Sequence, residues 1–256
     1  MRQFIVRAVG SGALQWLARD IYYFTVDRLP GRLLPRDVAR GRDYDRLTFE
    51  IARRQLTAGG DFVDVGANAG HILANLVRMS PSGEGWAFEP LPRFAERLRQ
   101  RFPAVSVLEV ALSDHNGTSE FRYIPGDPSY SSLLIRPEVE ASHRPEILHI
   151  DVRRLDDCIP RSANVSFMKI DVEGGEADVL RGAERVLRQS RPVTVFECTS
   201  DRLSECASLF EAAGLEISLM SDFVAGVRRR TAEVLDLGRE GGEFYYVASP
   251  HSTAAD

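Results

Sequence analysis

Residues 61–70 read Asp-Phe-Val-Asp-Val-Gly-Ala-Asn-Ala-Gly, and the fold follows from them. Asp61 to Gly66 is a short apolar run with β-branched residues, the composition of a buried strand. Gly66, Asn68 and Gly70 then lead into the helical spacing of Ile72, Leu73, Leu76 and Val77 over Gly70 to Met79. Glycine tolerates φ > 0 and lets backbone approach a ligand closely, and asparagine is the side chain that best follows it there. Gly70 allows tight packing of helix on strand. A strand turning through such a loop into a helix opens a nucleotide-approaching βα unit. The spacing Gly66-x-Asn68-x-Gly70 is not G-x-G-x-x-G, so the pyrophosphate fingerprint is absent.

Outward from this unit the chain alternates. Strands are expected at Gly85–Glu89, Val105–Val110, Ser166–Val172, Pro192–Cys198, Leu215–Met220 and Glu243–Ala248. Helices are expected at Pro92–Phe102, Ala177–Leu187 and Leu203–Ala213, with residues 221–242 left as a loop. Such alternation means a mostly parallel sheet with helices on both faces. Residues 117–152 break the rhythm: Thr118–Ile124 and Ile147–Val152 read as inserted strands forming a hairpin beside an acceptor-side loop. The domain proper is read as 59–250, preceded by a helical extension over 1–58 and followed by a tail over 251–256. In the extension, Phe4, Ile5, Val9, Leu14, Leu17, Ile21 and Phe24 form one or two amphipathic helices. These pack on the domain, or meet a membrane surface or a second copy in a homodimer. That run is too short and broken for a membrane span or a secretory signal. Pro30 and Pro35 interrupt the chain, and a helix is expected from Asp43, its cap, to Leu56.

Composition narrows the function. The 256 residues carry 32 basic and 37 acidic side chains, net −5, with 44% hydrophobic residues. An acidic chain has no electrostatic reason to seek nucleic acid. Three cysteines, at 158, 198 and 206, lack zinc spacing and fit a reducing, cytoplasmic compartment. All but one of the basic residues are arginine; the exception is Lys169.

That lysine falls in Phe167-Met-Lys169-Ile-Asp171-Val-Glu173-Gly174-Gly175-Glu176. Lys169 and Asp171 share a strand face by the period of two. Four ionisable groups at a strand's carboxyl end are a structural ion pair or a working site, since unpaired charge there is costly. Phe88-Glu89-Pro90 closes the second strand, where an acid can accept hydrogen bonds from both hydroxyls of a ribose. Ser131 and Ser132 read as an ordinary turn pair or as lining of an acceptor pocket, His143 and His149 as solvated loop or strand positions or a base at neutral pH, and Arg228–Arg230 as a solvated loop or a contact for an anionic acceptor. Trp16 and Trp86 read as core, and Cys198 as an inert buried thiol.

Several ordered pieces between Asp61 and Cys198 together resemble the FkbM family of S-adenosylmethionine-dependent methyltransferases. They are Asp64 to Gly70, Phe88-Glu89-Pro90-Leu91-Pro92, Ala111-Leu112-Ser113-Asp114 with Gly117, Ser131-Ser132-Leu133, Arg154-Leu155-Asp156-Asp157 and Lys169 to Gly174. The resemblance implies a Rossmann-like class I methyltransferase fold with a final antiparallel strand. It also implies O-methylation of a sugar, polysaccharide or natural-product hydroxyl. It gives Asp64 the donor's ammonium, directly or through water, and lays the donor along Gly66, Asn68 and Gly70. It gives Glu89 the ribose diol and puts Ser113 or Asp114 near the adenine edge. For the acceptor's proton Asp171 is the leading base or orienting group. Lys169 could serve if burial lowers its pKa, with Glu173 and Glu197 behind it. Oxygen ligands there would suit magnesium, but no spacing calls for a metal. The rivals are an NAD(P)-dependent oxidoreductase, which should show G-x-G-x-x-G, a non-catalytic scaffold, and a nucleic-acid methyltransferase, which would want a basic face.

Overall fold

A computed structural model describes residues 36–56, 59–125, 128–134, 144–240 and 244–250. The amphipathic pattern of residues 4–24, Trp16 and His143 lie outside them.

Helix α1 (Arg36–Gln55) leads into β1 (Asp61–Val65), α2 (His71–Met79), β2 (Gly85–Phe88), α3 (Pro92–Arg101) and β3 (Val105–Leu108). A smaller unit follows: β4 (Ala111–Leu112), β5 (Gly117–Tyr123) and β6 (Glu146–Arg153). The chain then runs through α4 (Leu155–Cys158), β7 (Val165–Ile170), α5 (Glu176–Gly182), α6 (Glu184–Ser190), β8 (Val193–Glu197), α7 (Leu203–Ala212) and β9 (Leu215–Leu219). It closes with α8 (Met220–Ala225), α9 (Thr231–Arg239) and β10 (Tyr245–Pro250). Seven strands form one sheet in the order β3-β2-β1-β7-β8-β10-β9. All pairings there are parallel except those of β10, which runs antiparallel to β8 and β9. The expected sheet with its final antiparallel strand is present.

Alternation divides each strand between two cores. Phe62, Phe167, Val195 and Val247 meet α1, α2 and the end of α3 through Ile51, Leu73, Leu76 and Leu98. Val63, Met168, Phe196 and Tyr246 meet α5, α6 and α7 on the other face, through Val179, Val186 and Phe210. The expected hairpin pairs β5 with β6, and β4 joins it as a third strand. Its apolar side, Phe121, Ile150 and Val152, packs on Ala69, Leu91 and Phe94. The small sheet is therefore anchored against the β1–α2 loop and the start of α3.

Three local readings are corrected. Helix α1 begins at Arg36, so Asp43 lies inside it and is not its cap. Gly41 costs the helix about 1 kcal/mol but does not stop it, and Arg36 to Arg42 are already helical. The helix expected over 177–187 is two, divided at Ala183. Gly182 is the last residue of the first, and a Cβ there would stand 2.1 Å from the carbonyl oxygen of Ser113, so this close approach requires glycine. The loop expected over 221–242 contains α8 and α9; α9 buries only Val234 and Gly238, too thin a stripe to read as a period. Among the described residues no helix is long and apolar enough to cross a membrane.

Gly66 sits at φ +75°, and a Cβ on it would lie 2.0 Å from the backbone oxygen of Asp171. The turn after β1 thus needs glycine to pass the end of β7. Gly66→Ala is expected to lower stability by more than about 2 kcal/mol in urea unfolding. A change below about 0.5 kcal/mol would show that the crossing has slack.

Candidate active site

Parallel pairing sets Asp64 of β1 directly beside Lys169 of β7. Both lie at the carboxyl ends of their strands, on the face that meets α1 and α2. Lys169 is 6% exposed and Asp64 is fully buried. The ammonium stands 3.2 Å from Asp171 Oδ2 and 3.7 Å from Asp64 Oδ1. It also donates to the Gly66 carbonyl at 3.2 Å. Burial alone would pull the Lys169 pKa down, but Asp171 and Asp64 outweigh it and hold the value above the ordinary one. Lys169 is a fixed cation here, and the premise of a neutral lysine base is lost. Asp171 goes the other way: burial opposes its charge, but Lys169 and two further hydrogen bonds keep it below the usual range. Asp64 is raised by its burial, with Lys169 opposing. Neither Asp64 oxygen has a hydrogen-bond donor among the described residues.

The second piece is Glu89, which follows β2 and is 5% exposed. Its Oε2 accepts the Asn68 backbone N–H at 2.8 Å and its Oε1 that of Leu91 at 3.0 Å. Asn68 sits at φ 49°, the left-handed conformation that the sequence invites. Each carboxylate oxygen keeps a lone pair for a further donor. Burial pushes Glu89 up to about 7 against those two hydrogen bonds.

The third piece was not legible in the sequence. Tyr245 of β10 is the register partner of Glu197 of β8. Its hydroxyl lies 3.1 Å from Asp171 Oδ2 and 3.3 Å from Glu197 Oε2. Tyr44 of α1 holds the Tyr245 ring, with centroids 4.7 Å apart. Alternation within β10 does put Tyr245 and Val247 on one face. Only the sheet order, however, says which acids that face meets.

Asp171, Glu173 and Glu197 each place a carboxylate oxygen within 4.8 Å of the others. Close enough to surround one cation, they have beside them the ammonium that the chain itself supplies. Glu173 is at φ 59° and Gly174 at φ 113°, in a tight turn that lies against the backbone of Leu134. Arg202 donates to the Gly174 carbonyl at 3.1 Å. The buried Glu176 accepts the Gly174 N–H at 3.0 Å.

Ser113 and Asp114 stand apart. Ser113 is buried behind β4, while Asp114 binds His115 at 2.7 Å on the surface. No hydrogen bond or ion pair joins them to Glu89 or Lys169 among the described residues. Ser131 accepts the Ile124 N–H, so it serves its own turn. Trp86 is core and His149 is exposed. Arg228–Arg230 are exposed, with Arg229 paired to Asp222. Cys198 is 1% exposed, and its thiol is pushed up by Cys206, 3.7 Å away, and by burial.

The last strand, β10, inserts antiparallel between β8 and β9 as the resemblance implied, and this chain has the Rossmann-like methyltransferase fold. A family profile, the methyltransferase FkbM domain, matches residues 64–221, and the chain belongs to that family. The 2-O-methyltransferase NoeI of Sinorhizobium fredii is 28% identical over 144 residues, 50% of this chain and 59% of NoeI. Methyltransferase 1 of Beauveria bassiana is 27% identical over 143 residues, 48% of this chain and 57% of that protein. The matches thus span less than two thirds of either relative. In fold, a methyltransferase FkbM from Methylobacillus flagellatus aligns with TM-score 0.54 at 18% identity, covering 96% of this chain and 57% of that one.

Glu89 generates a pH prediction. Its folded value, about 7, lies above the ordinary 4.5, so it favours the ligand-free fold below about 4.5 and loses that contribution as pH rises through about 7. Unfolding free energy should fall more steeply over this range in the wild type than in Glu89→Gln. Parallel curves would mean that Glu89 titrates normally.

Proposed function

We propose that this protein is an S-adenosylmethionine-dependent O-methyltransferase acting on a hydroxyl of a sugar, polysaccharide or natural product. The observation that carries the reading is Asp64: a fully buried carboxylate with no hydrogen-bond donor of its own, at the end of β1. Such a group needs a cationic partner beyond Lys169, and the donor's ammonium is one. Family membership and the name of NoeI support the same chemistry.

When bound, the donor supplies a methyl group on a cationic sulfur, and the chain's own residues do the rest. Asp64 holds the ammonium. The backbone from Gly66 to Gly70 lies along the donor, and the spare lone pairs of Glu89 accept from the ribose hydroxyls. Ser113 or Asp114 meets the adenine edge. Asp171, kept ionised by Lys169, orients the acceptor hydroxyl for in-line attack, with Glu173 at the rim. Alignment of this kind supplies much of the acceleration in a displacement at carbon. The partner is a small molecule or glycan and not a nucleic acid, which agrees with the net charge of −5. Three free cysteines, two of them buried, suit a cytoplasmic setting.

Titration calorimetry with S-adenosylmethionine, S-adenosylhomocysteine and NADH tests the cofactor. Micromolar binding of the first two and none of the third is expected, and Glu89→Ala should weaken both severely. A folded protein that binds neither would overturn the reading. For the acceptor side, Asp171→Asn should keep the fold by circular dichroism and lose about 100-fold or more in kcat. Full activity would remove Asp171 from the site's chemistry.

A further inference from the structure

We infer that Glu197 is the group that takes the proton from the acceptor hydroxyl, and that Tyr245 is the residue that positions it. The inference rests on the methyltransferase reading and goes further, because it assigns the proton.

The argument is a count of hydrogens. The Tyr245 hydroxyl owns one proton and stands within hydrogen-bond distance of two carboxylates, Asp171 at 3.1 Å and Glu197 at 3.3 Å. Asp171 Oδ2 also receives the Lys169 ammonium at 3.2 Å. With both acids ionised, one of them must face a lone pair of the tyrosine oxygen, so the trio is one proton short of full satisfaction. A proton on Glu197 completes it: Glu197 then donates directly to Asp171, and the Tyr245 hydroxyl remains a donor to the two carboxyl groups. Methylation of a hydroxyl releases one proton. An acceptor-oxygen lone pair forms the bond to the methyl carbon, the carbon–sulfur pair leaves with sulfur, and the O–H proton passes to the Glu197 carboxylate. Atoms and charge then balance without a further reagent.

Glu197 is the right end of the trio to receive it. Asp171 is committed to an ion pair, whereas no Lys, Arg or His lies within 4.0 Å of Glu197 among the described residues. The groups that face Glu197 are Asp171 and Glu173 beyond β7, Glu176 at the start of α5, Tyr245 on β10 and the more distant Lys169. Burial and the three acids push Glu197 well above the ordinary carboxylate range, which makes it the stronger proton acceptor of the pair. Tyr245 is held in place by Tyr44, so the N-terminal helix α1 supports the arrangement.

The test needs no acceptor. In protein labelled with 13C at the glutamate carboxyl, the Glu197 resonance is identified by its loss in Glu197→Gln and followed by NMR against pH. The expected midpoint lies above the ordinary glutamate value. It falls in Asp171→Asn, where a neighbouring negative charge is gone. It rises in Tyr245→Phe, where the ionised carboxylate loses a donor while the ring still packs on Tyr44. With a turned-over acceptor, Glu197→Gln should lose about 100-fold or more in kcat at unchanged donor affinity. The acid limb of the Tyr245→Phe profile should move up with the NMR midpoint. A Glu197 that titrates in the ordinary range, a midpoint that neither substitution moves, or a Glu197→Gln enzyme within twofold of wild type would overturn the assignment. Should Glu197→Gln not fold, the resonance that moves in Asp171→Asn and Tyr245→Phe carries the test. Absence of donor binding to the wild type defeats the methyltransferase reading itself. Donor binding with a normally titrating Glu197 defeats only this one.

Discussion

The ammonium of Lys169 is the constraint around which the site is arranged. It is buried between Asp64 and Asp171, and the Gly66 carbonyl takes one of its hydrogens. A charge in that position is tolerated only because its partners are fixed, and removing one partner of such a pair typically costs about 3–5 kcal/mol. The same contacts tie the end of β7 to the end of β1 and to the turn that follows it. They also divide the acids into types: Asp171 is held ionised, while Glu197, without a cation, holds a proton more readily.

Sheet geometry gathers these groups on one face. Asp64, Lys169, Asp171, Glu197 and Tyr245 come from four strands and fall on one face because each occupies the same alternation phase as the core residues Phe62, Phe167, Val195 and Val247. The small sheet closes a second side by packing Phe121 and Ile150 on Ala69 and Leu91. Helix α1 closes a third through Tyr44. Ligands in open α/β sheets bind beyond the carboxyl ends of the strands, and among the described residues the small sheet and α1 flank that region through apolar anchors of their own.

Much of this was legible beforehand. Residues 61–70 announce a strand, a ligand-approaching turn and a helix, and β1 and α2 follow. Lys169 and Asp171 were placed on one strand face, and Glu89 at the end of β2. The misreadings share a cause. Asp43 looked like a cap because caps are local, but nothing upstream stopped the helix. The 177–187 helix looked continuous because Gly182 is tolerable in a helix; its contact is a carbonyl almost seventy positions earlier. Helix α9 looked like loop because only two of its residues are buried.

The sequence by itself determined the alternation of elements, the conformation of the turn at Gly66 and Asn68, and the gathering of charge at the end of β7. These depend on periodicity and on backbone sterics within a few residues. Tertiary structure decided the partners: that Asp64 stands opposite Lys169, that Tyr245 lies between Asp171 and Glu197, and that Lys169 stays an ammonium. Those facts depend on strand order and register across 48 positions or more, and on how strongly burial and neighbouring charge oppose each other. No pattern along the chain records either.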